Sequence, residues 1–268
     1  MGVCVLLSAM HLEDHSLLEE LNIKSDAVVI NQCDKNEVRD IKEGDRRILF
    51  LSEKDRGLSK SRNEAIRQSD AGGFGDVCIF CDNDCVYEEG AASQIEAAFD
   101  RNPQADIIVF FVKRPEKSEP VLKKEGPLSY IGAIKIFSPE IAFRRSSLMD
   151  RGLFMDEDFG AGARYMMGEE NIFLFKAKQM GLKVVYVPLQ IAHLKENEST
   201  WFKGYTDDYF KSRGAGYRAM VGRLSFLLIW QFAIRKYSLY KADNGFWRAL
   251  RMMNAGVREY EDICSRRS

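Results

Sequence analysis

Acids set close together carry the most obvious chemistry in this 268-residue chain. Asp82-Asn83-Asp84 directly follows the apolar run Val77–Cys81, and Glu169-Glu170 follows Gly168 at the head of a helical stretch. Two carboxylates one residue apart on extended chain point the same way. Such a pair can hold Mg²⁺ or Mn²⁺, hard cations that prefer oxygen and share their shell with substrate phosphates. A plain acidic turn after a strand is the alternative. Taken alone, Glu169-Glu170 reads as a pair of helix N-terminal acids favoured by the macrodipole. Cys4, Cys33, Cys78, Cys81, Cys85 and Cys264 offer softer ligands, and three of them form a CxxC followed by a third thiol. That triplet lies in an apolar run with no second Cys or His pair to complete a zinc site. It reads as buried, reduced thiols.

The elements around these acids alternate. Val3–Ser8, Ala27–Asn31, Arg47–Leu51, Val77–Cys81 and Asp106–Phe111 are rich in Val, Ile and Phe and predict buried strands. Ser16–Leu21, Ser59–Ser69 and Glu89–Phe99 predict the helices between them, with Ser59 as an N-cap and Arg101-Asn102-Pro103 as a stop. This order predicts an α/β fold with a largely parallel sheet, which binds ligands beyond the carboxyl ends of its strands. Lys113 to Gly126 reads as a polar, mobile surface loop. Ser138–Phe143 and Lys183–Val187 predict further strands, with a helix over Gly168–Met180 between them. From Ser199 the pattern is helical, with breaks expected at Gly214–Gly216 and Asp243–Gly245.

Composition removes several classes. With 46% hydrophobic and 29% charged residues the chain can bury a large core, which excludes disordered and fibrous proteins. A net charge of -1 gives no general reason to bind nucleic acid. The charge is uneven, however. From Lys195 onward 14 basic residues face 8 acidic ones, a net of +6, behind a body with a net of -7. No apolar run reaches the ~20 residues of a spanning helix. The longest, Leu224 to Ile234, is flanked by Arg223 and Arg235-Lys236 and reads as a buried core helix, with a membrane-surface helix as the alternative. Met1 to Met10 lacks the basic start and small-residue cleavage site of a signal peptide, so a reducing cytoplasm is expected, with contact at the inner membrane face as an addition.

Four segments occur in a telling order. They are Gly57-Leu58-Ser59-Lys60-Ser61-Arg62-Asn63, then Asp82-Asn83-Asp84, then Gly152-Leu153-Phe154-Met155-Asp156-Glu157, then Gly168-Glu169-Glu170. Together they resemble the family 2 glycosyltransferases, and the resemblance spans roughly residues 1 to 200. It implies the GT-A fold: a Rossmann-like, mixed but mostly parallel sheet flanked by helices, here with a C-terminal helical extension. The implied division is a catalytic domain over 1–198, its nucleotide-sugar half over 1–111 and acceptor half over 112–198, then the extension over 199–268.

The resemblance also implies roles. Asp82 and Asp84 would hold Mn²⁺ or Mg²⁺, and His193, ahead of Ser199-Thr200, would be a third ligand or a diphosphate contact. Ser8, Asn31, Gln32, Lys60, Arg62, Asn63, Asp82 and Asn83 would line the nucleotide site, Arg62 alternatively bracing acids beneath it. Glu170 stands where the family keeps its general base, as Glu rather than the usual Asp, with Glu169 beside it as the other candidate. The implied activity is metal-dependent transfer, with inversion, of a hexosyl or N-acetylhexosaminyl group. The donor would be a nucleotide-diphosphate sugar, a UDP-sugar being favoured. The acceptor would be a glycan or lipid-linked glycan in surface polysaccharide biosynthesis. Basic, aromatic C-terminal helices carrying Trp201, Phe202, Trp230 and Trp247 suggest peripheral contact with a membrane or a partner subunit. Two alternatives stay open. One is a catalytically inactive binding module of the same fold. The other is a sugar nucleotidyltransferase, although Ser8-Ala9-Met10-His11 lacks its Gly-rich basic loop.

Overall fold

A computed structural model describes residues 2–115, 118–195, 202 and 204–267. In chain order the elements are β1 (Val3–Met10), α1 (Leu17–Glu20), β2 (Asp26–Gln32), β3 (Glu37–Glu43), β4 (Arg46–Glu53), α2 (Leu58–Ala71), β5 (Val77–Asp82), β6 (Cys85–Tyr87), α3 (Ala91–Arg101), β7 (Ile107–Lys113), β8 (Gly126–Pro127), α4 (Tyr130–Ala133), β9 (Ile141–Arg144), α5 (Arg145–Arg151), α6 (Glu169–Gln179), β10 (Val184–Leu194), α7 (Asp207–Val221), α8 (Ser225–Arg235), α9 (Tyr237–Tyr240) and α10 (Phe246–Arg267). The chain forms two compact units. One holds residues up to Arg56, Lys60–Met155 and the segment from Lys176 through β10; the other holds Gly57–Ser59, Asp156–Phe175 and the C-terminal helices.

The first unit is built on one sheet in the order β3-β4-β2-β1-β5-β9-β7-β10-β6, with β8 beside β10. Its centre, β4-β2-β1-β5, is parallel, and β9 enters antiparallel between β5 and β7. Continuous apolar sequence explains the centre. In β1, β2, β5 and β7 nearly every side chain is buried, as strands covered on both faces require. Each buried Ile, Val, Leu or Phe contributes about 1.5–3 kcal/mol. The cysteines belong to this core: Cys4 and Cys78 face each other across β1 and β5, and Cys81 and Cys85 are buried too. Burial pushes the Cys4 thiol well up, and the Cys81 contact followed by burial does the same for Cys85. All four pack as buried, free thiols in the sheet core.

Several expectations need correction. β3 was not expected, because its sequence Glu37–Glu43 is mostly charged. It is an edge strand returning from β4, held by pairs such as Arg47–Asp40 at 2.7 Å. The strand expected over Lys183–Val187 runs on to Leu194. Ser59 is not an N-cap: α2 begins at Leu58, and the Ser59 hydroxyl donates instead to the Phe159 carbonyl at 2.6 Å. The stretch 118–125 is irregular yet tied down, since the Val121 amide donates to the Tyr186 hydroxyl at 3.0 Å and Glu125 accepts from Asn102 at 2.7 Å.

In the second unit α7 runs unbroken through Gly214–Gly216, where a break was expected. A Cβ on Gly214 would lie 1.9 Å from the Met253 carbonyl oxygen, and one on Gly256 would lie 2.0 Å from that of Lys211. These glycines therefore let α7 and α10 cross backbone to backbone. The break near Asp243–Gly245 is present, between α9 and α10. Among the described residues no helix is long and apolar enough to cross a membrane.

Candidate active site

The acidic turn of the first unit sits at the carboxyl end of the sheet's most buried strands. β5 delivers Asp82, the chain turns at Asn83-Asp84, and β6 starts at Cys85. The two acids thus flank a turn rather than sharing continuous extended chain. Asp82 lies beside Ser8 in the β1–β5 register. Its Oδ1 accepts from Arg62 Nη2 at 2.6 Å. Arg62 is 1% exposed, and its guanidinium also lies 5.8 Å from the Phe80 ring centre. A buried cation so placed orients the carboxylate from beneath. Burial, and then repulsion from Asp82, hold the Asp84 carboxyl above its ordinary value. Asn83 is exposed at the tip.

The remaining expected donor-site residues are placed in different ways. Ser8 and Ser61 are buried and bonded to each other at 2.8 Å, which fixes α2 over the end of β1. Lys60 is exposed on α2, 4.0 Å from Asp55. Asn31 and Asn63 are committed to the backbone. Asn31 accepts from the Leu12 amide at 2.8 Å and donates to the Leu12 carbonyl and Ser52 hydroxyl. Asn63 brackets Met155 the same way, accepting at 2.8 Å and donating at 3.0 Å. Asn31 braces the loop after β1 and Asn63 the loop after α5. Gln32 is buried at the end of β2, and its carbonyl accepts from the His11 amide.

His193, on β10 opposite Val86, places Nδ1 3.1 Å from Glu88 Oε1. Hydrogen bonds from Gln190 and then His193 hold the Glu88 carboxyl below its usual range. Ser199-Thr200 and Trp201 lie outside the described residues. Among the described residues no three His, Cys, Asp or Glu side chains converge as a ready-made metal cluster. The oxygen-only pair Asp82 and Asp84 nevertheless fits a hard divalent cation whose other ligands are phosphate oxygens and water. Glu53, at the end of β4, carries no motif in the sequence. Burial, with Glu64 and Asp55 repelling it, pushes its carboxyl up to about 7.

In the second unit a loop leads into α6. Gly160, at φ +107°, lies so close to its neighbours that a Cβ would be 3.2 Å from both Glu169 Cδ and Ser59 Oγ. The Leu58 amide donates to the Ala161 carbonyl at 2.9 Å, which joins the start of α2 to this loop. Glu169 is buried against Gly160, whereas Glu170 is half-buried. Phe159 stacks on Tyr165 at 4.9 Å, and the Tyr260 ring meets both. The Tyr260 hydroxyl donates to Asp156 at 2.9 Å, and Arg267 grips Asp158 through two nitrogens at 2.6 and 3.0 Å. No sequence signal marks Tyr260 or Arg267, because their partners lie far back in the chain.

The family model described as Glycosyl transferase family 2 matches residues 15–167, more than half of the chain. The chain belongs to glycosyl transferase family 2. No curated protein sequence matches this glycosyltransferase. Its fold is that of the GT-A glycosyltransferases. Residues 1–349 of Staphylococcus aureus TarS, solved with UDP-GlcNAc, share 15% identity at a TM-score of 0.63, with 91% of this chain and 74% of that one covered. The Pyrobaculum calidifontis mannosyltransferase PcManGT, solved with GDP-Man and Mn²⁺, shares 15% identity at a TM-score of 0.52, with 97% and 75% covered.

Proposed function

We propose that this family 2 glycosyltransferase transfers a sugar, with inversion, from a nucleotide-diphosphate sugar to a hydroxyl of a glycan or lipid-linked glycan in surface polysaccharide assembly. The observation that carries the proposal is the Asp82–Asp84 turn at the carboxyl end of β5, with Asp82 braced by buried Arg62. In such a reaction the bond from the anomeric carbon to the phosphate oxygen breaks and the diphosphate leaves with the electron pair. The acceptor oxygen bonds to the opposite face of that carbon and must lose its proton.

Asp82 and Asp84 are the residues that would hold Mn²⁺ or Mg²⁺, and the cation would supply positive charge for the departing diphosphate. Arg62 holds Asp82 in orientation through its 2.6 Å hydrogen bond. Lys60, exposed on α2, adds a second positive charge for phosphate. The Glu88 contact at Nδ1 fixes the His193 ring and leaves Nε2 for a divalent cation or a diphosphate oxygen, the two roles the resemblance implies. Asn31 and Asn63 shape the site by bracing the Leu12 and Met155 backbone. Glu170 takes the acceptor proton, for Glu169 is buried behind Gly160. A UDP-sugar is the favoured donor, because TarS and PcManGT were solved with UDP-GlcNAc and GDP-Man respectively and the nearer fold carries the uridine nucleotide.

Calorimetry with UDP tests the donor half directly. Binding should be strong with Mn²⁺ and weak in chelator, and Asp84→Ala should weaken the Mn²⁺-supported binding by about tenfold or more. Undiminished binding by Asp84→Ala would overturn the metal role. UDP binding without turnover of any nucleotide-sugar, in a panel assayed with Mn²⁺, would instead point to a binding module.

A further inference from the structure

The C-terminal helices leave an apolar face uncovered. Phe226, Leu227, Trp230 and Ile234 of α8 are all exposed, Ile234 by 63%. At about 100° per residue these positions share one side of the helix. The opposite side, with Ile229, Phe232 and Ala233, is buried in the unit. Both sides of α8 are therefore apolar, and only one is used internally. The face extends beyond α8. Trp230 lies 6.2 Å from Phe246, and Phe246 lies 5.3 Å from Trp247, which is 71% exposed.

The charge around this face is predominantly basic. Arg223 precedes α8, Arg235 and Lys236 end it, and Lys241 follows α9; all four are exposed. Among the described residues none of these four side chains forms an ion pair. From Arg223 through Arg251 the only acid is Asp243, against six basic residues. A twofold contact with a second copy would bring two basic rims together, since such an interface uses the same patch twice. An anionic bilayer is complementary in both respects. Its headgroups meet the Lys and Arg rim, its acyl boundary takes Phe, Leu and Ile, and Trp side chains suit the level between. Among the described residues no helix is long and apolar enough to span, so α8 would lie along the surface.

We infer that α8 and the start of α10 form a membrane-docking face for bilayers carrying anionic lipids. The face places the enzyme at the surface where a lipid-linked acceptor resides, but docking itself is independent of sugar transfer and is read without it. The full chain is mixed with vesicles of phosphatidylcholine alone or with phosphatidylglycerol added, at low and high salt, then sedimented. Sedimentation with the anionic vesicles is expected, weakening as salt rises, together with a blue shift of tryptophan emission. Leu227→Glu combined with Ile234→Glu should lower vesicle affinity by about tenfold or more while melting temperature and UDP affinity stay at the parent values. Equal binding to neutral vesicles, no binding at low salt, or parent-like binding by the double variant would each overturn the inference. So would a concentration-dependent dimer that the double variant abolishes, because a second copy would then be the occupant.

Discussion

The acidic turn after β5 and the loop before α6 are built in opposite ways. At the turn, a strand buried in the sheet carries Asp82 to its place, and its brace Arg62 is 20 residues away on the next helix back. At the loop, no regular element spans Asp156 to Gly168. Its acids are held by Tyr260 and Arg267, which lie 104 and 109 residues further along the chain. The turn inherits its geometry from sheet register, while the loop depends on the last turns of α10. Alteration of α10 should therefore disturb the acceptor chemistry and spare the donor chemistry.

The largest expected separation comes from Glu170→Gln. The change keeps shape and removes the proposed base, so transfer should fall by about 10²–10⁴-fold. UDP affinity with Mn²⁺ and melting temperature should stay at parent values, because Asp82 and Asp84 are untouched. Single-turnover rates beside calorimetry check both halves. If Glu169→Gln abolishes transfer and Glu170→Gln does not, the base is one residue upstream. Parent-like rates in both variants would remove the base from this pair altogether.

A smaller effect tests whether α10 really controls the loop. Tyr260→Phe with Arg267→Ala removes the bonds to Asp156 and Asp158 without opening the core, since Arg267 is exposed. Turnover should drop by about three- to tenfold through misplacement of the loop. Apparent donor affinity should not change. Equal loss in donor affinity and turnover would mean that the two regions are not separable in this way.

The same contrast explains what could be read in advance. β1, β2, β5 and β7 were legible because strands buried on both faces must be continuously apolar. The Asp82–Asp84 pair was legible because such a strand ends in it. β3 was not, since an edge strand exposed to water carries the charge pattern of a loop, and its partners lie on β4. The glycines at 214 and 216 were misread as a break because sequence shows their flexibility and hides the Met253 backbone against Gly214. Asn31 and Asn63 belong to the donor site through the resemblance, and the sequence does not show that their amides bond the backbone at Leu12 and Met155. Arg62 was caught only in part, as either a site residue or a brace. The Tyr260 and Arg267 contacts left no trace, because helix α10 reads as any basic amphipathic helix.

The smallest expected effect separates two acidic groups within the sheet unit itself. Glu53 lies at the end of β4, and its carboxyl is pushed up to about 7 by burial first, then by Glu64 and Asp55, with Lys60 opposing. Its ordinary value is 4.5, so the folded chain keeps the Glu53 proton in a range where the unfolded chain has lost it. The resulting stabilisation is present in full below about 4.5 and is lost as pH rises through about 7. Glu53 is partly open to solvent, so screening reduces the effect to on the order of 1 kcal/mol. Glu53→Gln should therefore melt about 2 °C above the parent at pH 8, with the difference shrinking toward pH 5. Asp84 is not among the groups acting on Glu53, so Asp84→Asn should leave that pH-dependent difference intact. A flat difference across pH would remove Glu53 as a titrating group. Loss of the slope in the Asp84→Asn background would show instead that the end of β4 and the turn after β5 titrate as one cluster.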